Sequence, residues 1–286
     1  MTSSVLGDRE EDDRAWDSLN GHMLVEDVRL GVMPIGGRSS VAAFSVQPVA
    51  GTSVTSDEIT ETLGQRSHAR DLAAGASDWI MDCAVATLTR GKAYYEIAAE
   101  GPSSAMFVER MAPHQHRWRR AARIVHARVT CSLPGKYALA MEEMRKALLV
   151  ISDPLAMGRL MGHFSDRGEA KVPFDFQLFR QVEANALARA TAMSGWNGRG
   201  AFHPEHGQNE YHFVYRELKF HGFKAMLREQ AILCLNECLQ AVQERSGKRM
   251  GIHVSGLPTE ADAAQALLEL AAGHTSFNEL LARFRF

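Results

Sequence analysis

The run Glu217-Leu-Lys-Phe-His-Gly-Phe-Lys-Ala-Met-Leu-Arg-Glu-Gln-Ala-Ile-Leu-Cys-Leu-Asn-Glu-Cys-Leu-Gln240 constrains the fold of this chain more than any other segment. Apolar residues return at helical spacing between charged ones, the pattern of a long amphipathic helix, expected over 217–245. Ile252-His-Val254 then reads as a short strand. Gly256-Leu-Pro-Thr-Glu260 leads into a further helix carrying Asp262, and Gly273-His-Thr-Ser-Phe-Asn-Glu279 reads as a closing turn. No catalytic motif interrupts this series, so the segment reads as built to assemble.

With 286 residues, 45% of them hydrophobic and 23% charged, the chain can bury a substantial core and is neither disordered nor fibrous in composition. A net charge of -2 gives no global reason for nucleic-acid affinity, which must then come from local asymmetry. Such asymmetry is present: Asp8 to Asp13 is acidic, while Arg110, Arg117, Arg119, Arg120, Arg123 and Arg128 crowd a stretch whose one acid is Glu109. No segment reaches the roughly 20 apolar residues that a membrane span needs, and Met1 is followed by polar and acidic residues rather than a signal-peptide core. No membrane partner is expected, and assembly in the cytoplasm is. Cys83, Cys131, Cys234 and Cys238 form no CxxC pair and read as reduced core thiols.

Along the chain, residues 1–20 read as a mobile acidic arm. Val25 to Val32 and Val41 to Val46 read as two strands around Met-Pro-Ile-Gly-Gly. Ser56-Asp-Glu opens a helix whose apolar positions Ala76, Trp79, Ile80, Cys83, Ala84 and Leu88 keep the 3.6-residue period, with a break near Gly75 and an end at Gly91. Tyr94 to Ala98, Ala105 to Glu109 and Ala122 to Thr130 read as a small sheet. Lys136 to Val150 and Phe176 to Met193 are helical by period. The expected fold is therefore α+β and predominantly helical, long helices with a small antiparallel sheet in one elongated protomer.

Three clusters bear chemistry. Arg110, Arg117, Arg119, Arg120, Arg123 and Arg128, with Trp118 interleaved, suit phosphate contact through forked hydrogen bonds and stacking, and equally suit an acidic neighbouring subunit. His203, Glu205, His206 and His212 offer ligands for a divalent metal, but Pro204 and Gly207 place them off a helical HExxH pattern, and a polar loop is the favoured reading. Gly195-Trp-Asn-Gly-Arg-Gly200 lacks the Lys-Ser/Thr of a P-loop and reads as a helix stop, with Trp196 anchoring the turn in a core. No GxSxG elbow or paired-carboxylate signature is present, so no enzyme activity, cofactor or bound metal is expected.

The order of the last third resembles that of tailed-bacteriophage portal proteins: a long helix containing Leu235-Asn236-Glu237, the strand Ile252-His253-Val254, a helix with Asp262, and the closing segment Gly273 to Glu279. Ser77 to Ile97 is similar too, a helix followed by Gly91-Lys-Ala-Tyr-Tyr-Glu-Ile97 entering a strand. The resemblance implies a structural ring subunit of a phage or prophage head, dodecameric in the particle, through which double-stranded DNA passes. Capsid, terminase and head-tail connector proteins are its implied partners and the virion its implied location. It also implies a wing-like α+β region over 21–135, a stem and clip over 136–196, a tunnel-facing loop over 197–216 with Trp196, Asn197, Arg199, His203 and His206, and a crown-like region over 217–286. The compressed stretch between Pro134 and Pro173 departs from the family pattern. Two other classes fit the residues: a metal-dependent hydrolase or nuclease using His203, Glu205, His206 and His212, and a small nucleic-acid-binding module using the arginines.

Overall fold

A computed structural model of the chain describes residues 19–38, 43–63, 71–99, 106–111, 124–135, 137, 138, 177, 181, 184, 185, 188, 191–196 and 210–285. The acidic arm through residue 18, most of the 136–190 region and the loop 197–209 lie outside these residues. The chain divides into two compact units, one of Arg29–Leu133, Lys224–Ala263 and Ala282–Phe286, the other of Met1–Val28, Pro134–Phe223 and Ala264–Leu281. Each gathers stretches far apart in sequence. The fold is α+β, with two small antiparallel sheets among the described residues.

Helix α1 spans Leu19–Val32 and replaces the first of the two expected strands. Its valines suggested β structure, but Leu24, Val28 and Val32 recur every fourth residue and are fully buried, and one-sided burial at that spacing outweighs β-branched propensity. A short 3-10 turn at Ile35–Gly37 follows. The second expected strand is found at β1, Ser45–Pro48.

Helix α2, Ser56–Thr62, opens with a capping box: the Glu58 N–H donates to the Thr55 hydroxyl at 3.2 Å, and the Thr55 N–H donates to the Glu58 carboxylate at 2.9 Å. Helix α3, Leu72–Arg90, begins at Asp71, whose carboxylate accepts from the Ala74 N–H at 2.8 Å. The helical break thus falls between Thr62 and Leu72, not near Gly75, which is buried within α3. Gly91 ends α3 as expected, at φ 71°, and the chain enters β2 at once.

Strand β2, Lys92–Ala99, is the centre of a three-stranded antiparallel sheet between β3, Phe107–Met111, and β4, Ile124–Ser132. All three strands were expected. Alternation puts Ala93, Tyr95 and Ile97 on one face, and Trp79 of α3 stacks on Tyr95 with ring centroids 4.5 Å apart.

Helix α4, Glu210–Ser246, is the long helix expected from Glu217, and it begins earlier than expected. Glu210–Arg216 is helical rather than part of a 197–216 loop, because Glu210 suits the positive end of the helix dipole and Val214 and Leu218 already keep the buried period. The helix is also more enclosed than an amphipathic surface helix, since every residue from Phe223 to Arg228 is buried. Lys224 fits because Gly31 has no side chain; a Cβ there would stand 2.5 Å from the Lys224 Nζ.

Strand β5, Ile252–Ser255, pairs antiparallel with β1 from Ser45↔Ser255 to Pro48↔Ile252, closing a two-stranded sheet from segments distant in the chain. Helix α5, Glu260–Ala272, starts from a reciprocal cap. The Thr259 N–H and hydroxyl both donate to the Asp262 carboxylate at 2.7 Å, and the Asp262 N–H returns a bond to the Thr259 hydroxyl at 3.0 Å. These bonds, the backbone one first, hold the Asp262 carboxyl below its ordinary pKa. Its contribution is therefore present above the unfolded value of about 4 and is lost as pH falls through the lower folded value. Asp262→Asn is expected to flatten the acid limb of an unfolding titration below about pH 4; a limb identical to wild type would show that this cap does not titrate with folding. Gly273 terminates α5 at φ 69°, and Ser276 with Glu279 caps α6, Phe277–Ala282.

Candidate functional site

The residues that carry the portal resemblance have definite structural roles. Asn236 in α4 treats the backbone of Ile252 as a neighbouring strand would: its Nδ2 donates to the Ile252 carbonyl at 3.1 Å and its Oδ1 accepts from the Ile252 N–H at 2.9 Å. Asparagine fits because its side chain reproduces the donor and acceptor of a peptide. Asp262 and Glu279 supply the caps already described, each closing the start of its own helix. About two turns earlier in α4, Arg228 and Glu229 reach the ends of other elements. Arg228 donates to the Val32 carbonyl at 3.1 Å and, more closely, to the Pro258 carbonyl, while the Glu229 carboxylate accepts from the Glu260 N–H at 2.8 Å.

Of the arginine cluster, Arg110 and Arg128 are described, and both are exposed. Arg110 stands opposite Tyr95 in β2 and Arg128 opposite Glu96, so strand alternation sends them to opposite faces of the sheet. Arg110 donates to the Asp82 carbonyl of α3 at 3.5 Å. Arg128 pairs with the Glu96 carboxylate at 2.9 Å, where Glu96 is 11% exposed and Arg128 49%. Arg128 thus compensates a nearly buried carboxylate. Arg117, Trp118, Arg119, Arg120 and Arg123 lie outside the described residues.

Trp196, grouped with the tunnel-facing loop, is buried, and its indole N–H donates to the Asp27 carboxylate at 3.0 Å. It anchors the turn in a core, the other role read for it. Gly195 stops the preceding helix at φ 82°. Asn197, Arg199, His203, Glu205 and His206 lie outside the described residues; His212 is exposed in the first turn of α4.

One constellation is not visible in the sequence. Cys83 of α3, Cys131 of β4 and Cys234 of α4 place their three sulfurs within 4.8 Å of one another, all buried and none in a disulfide. The Cys131 thiol also lies 3.7 Å from the Gln230 carbonyl, to which it donates. The three thiols share hydrogen bonds. Bonds from Cys234 and then Cys83 lower the pKa of Cys131, while the same contacts with Cys131 raise those of Cys83 and Cys234. The individual core readings of these cysteines hold, but their convergence is a tertiary fact that no ligand spacing announces.

The chain matches no family model, no curated protein and no solved structure with which it was compared. None of the described helices is long and apolar enough to cross a membrane.

Proposed function

We propose that this protein is a portal-like ring subunit of a phage or prophage head, an elongated protomer whose closed ring forms a passage for double-stranded DNA. The observation that carries the reading is the connected series in the last third of the chain. A 37-residue helix fastens strand β5 through Asn236, and capped helices follow at Asp262 and Glu279 in the order expected of a portal. The passage from α3 through Gly91 into the small sheet supports the same reading as a wing-like element. Nothing in this role calls for catalysis; the ring, a dodecamer in the virion, would dock capsid, terminase and connector proteins around its rim. Rings of identical subunits need a heterologous interface whose rotation closes.

The arginines between β3 and β4 provide the test. In this role Arg117, Arg119, Arg120 and Arg123 meet either the DNA or an acidic neighbouring subunit. Changing these four together to Glu is expected to abolish ring formation or DNA retention while the far-ultraviolet circular dichroism of the protomer stays that of wild type, because charges that serve partner choice contribute little to stability. Arg128 is left in place, since reversing it would set a second carboxylate against the nearly buried Glu96. Wild-type ring mass and wild-type DNA retention in the variant would remove the role proposed for the cluster.

A further inference from the structure

We infer that Cys83, Cys131 and Cys234 form a buried binding site for a thiophilic d10 metal ion, zinc in the first instance, which staples helices α3 and α4 to strand β4. The inference is independent of the portal reading. Three thiols from three separate elements converge with their sulfurs within 4.8 Å of one another. Metal–sulfur bonds of about 2.3 Å set ligand sulfurs roughly 4 Å apart, so metal binding requires closure of about an ångström or less. Soft sulfur donors select zinc or copper(I) over hard cations such as magnesium or calcium.

A second observation points to the same place. The hydroxyls of Thr87 and Tyr95 are buried and have no hydrogen-bond partner. Thr60, Thr62 and Thr89 each bond back to a carbonyl in their own helix. Thr87 does not, although that is the usual resort of a helical threonine. It lies one turn beyond Cys83 on α3, and its hydroxyl acts on Cys131; the Tyr95 hydroxyl, its ring held by Trp79, acts on Cys83. Near each of these two sulfurs, then, is a hydroxyl whose approach favours the thiolate but which makes no well-formed bond to an acceptor. A metal-bound thiolate is that acceptor, and outer-shell donors of this kind orient ligands and moderate their charge.

Charge favours zinc. Three thiolates around a divalent ion leave a net charge of -1, which two hydroxyl donors can moderate, whereas copper(I) leaves -2 in the same buried volume. Each thiol that ligates releases its proton to solvent, so the metal–sulfur bonds replace S–H bonds with no change of oxidation state. Ala93, paired with Cys131 across the sheet, keeps the adjoining position small.

The test uses the full reduced chain with cobalt(II) as a spectroscopic probe, followed by competition with zinc and, separately, with copper(I). The expected result is one cobalt per chain, with thiolate charge-transfer bands of an intensity that reports three sulfur ligands, displaced by zinc. Cys83→Ser, Cys131→Ser and Cys234→Ser should each weaken binding by roughly a hundredfold or more, and Thr87→Val and Tyr95→Phe by roughly tenfold. The hydroxyl variants guard against misfolding as an explanation. They leave all three sulfurs in place, and in the metal-free chain they remove an unpaired buried hydroxyl, so its thermal unfolding should be unchanged or slightly raised. A merely packed cluster predicts no cobalt spectrum in any of these proteins, and that result overturns the inference. So does a disulfide among the three cysteines in the freshly purified chain, and saturation by copper(I) without any zinc binding overturns the assignment to zinc.

Discussion

Gly195→Ala is expected to lower the stability of the protein by roughly 3–5 kcal/mol, among the larger losses a single methyl group can cause. Two effects add. Gly195 has φ 82°, where an L-residue pays about 1–2 kcal/mol for the approach of its Cβ to the following carbonyl. The new Cβ would also stand 2.5 Å from the Phe220 backbone nitrogen and against the Arg216 carbonyl oxygen, atoms of the α4 backbone that cannot rotate aside. Gly247→Ala separates the two effects, because Gly247 has φ 70° and open space for 4 Å around the point its methyl group would occupy, and it should lose about 1 kcal/mol from backbone strain alone. Thermal unfolding of the two variants beside wild type checks the difference. Equal losses would mean that α4 does not press on the turn at Gly195.

Arg228→Met is expected to cost about 3–4 kcal/mol, the range for removing one partner from a buried charge-assisted network. Arg228 is 3% exposed, and burial lowers its pKa to about 10, so it remains charged at neutral pH. Its guanidinium donates to the carbonyl of Val32, the last residue of α1, and to that of Pro258 just before α5. The Val32 carbonyl, at a helix end, lacks a partner within its own helix, and without Arg228 it would lose its donor in a buried place, the Pro258 carbonyl in a partly buried one. Arg228→Lys keeps the charge but replaces a planar fork with one ammonium, so it should recover less than half of the loss. Denaturant unfolding of both variants distinguishes the outcomes; a neutral Arg228→Met would show that the packing of α4, not these bonds, holds the ends of these elements.

The parts of this fold that were legible in the sequence are those set by local rules. Gly91 after an apolar period gave the end of α3 and the entry to β2; the apolar runs after it gave the sheet; and Gly256-Leu-Pro-Thr-Glu260 marked the approach to α5. Local rules failed where distant segments decide. Val25, Val28 and Val32 look like strand residues until one face of α1 is seen to be buried, and β1 could not announce that it pairs with β5. Lys224 and Arg228 are among the charged positions of the amphipathic pattern, and a sequence does not show that a glycine makes room for one and that two carbonyls await the other. The thiol cluster was hidden for the same reason: each cysteine is an ordinary core residue alone, and only the packing of two helices on a strand brings the sulfurs together.

The central claim, a closed portal-like ring, is tested most directly by electron microscopy of the purified full chain across a wide range of concentrations, with and without candidate head proteins. The account predicts particles of closed rotational symmetry around a central channel able to pass a DNA duplex. Monomers alone under all of these conditions would contradict it.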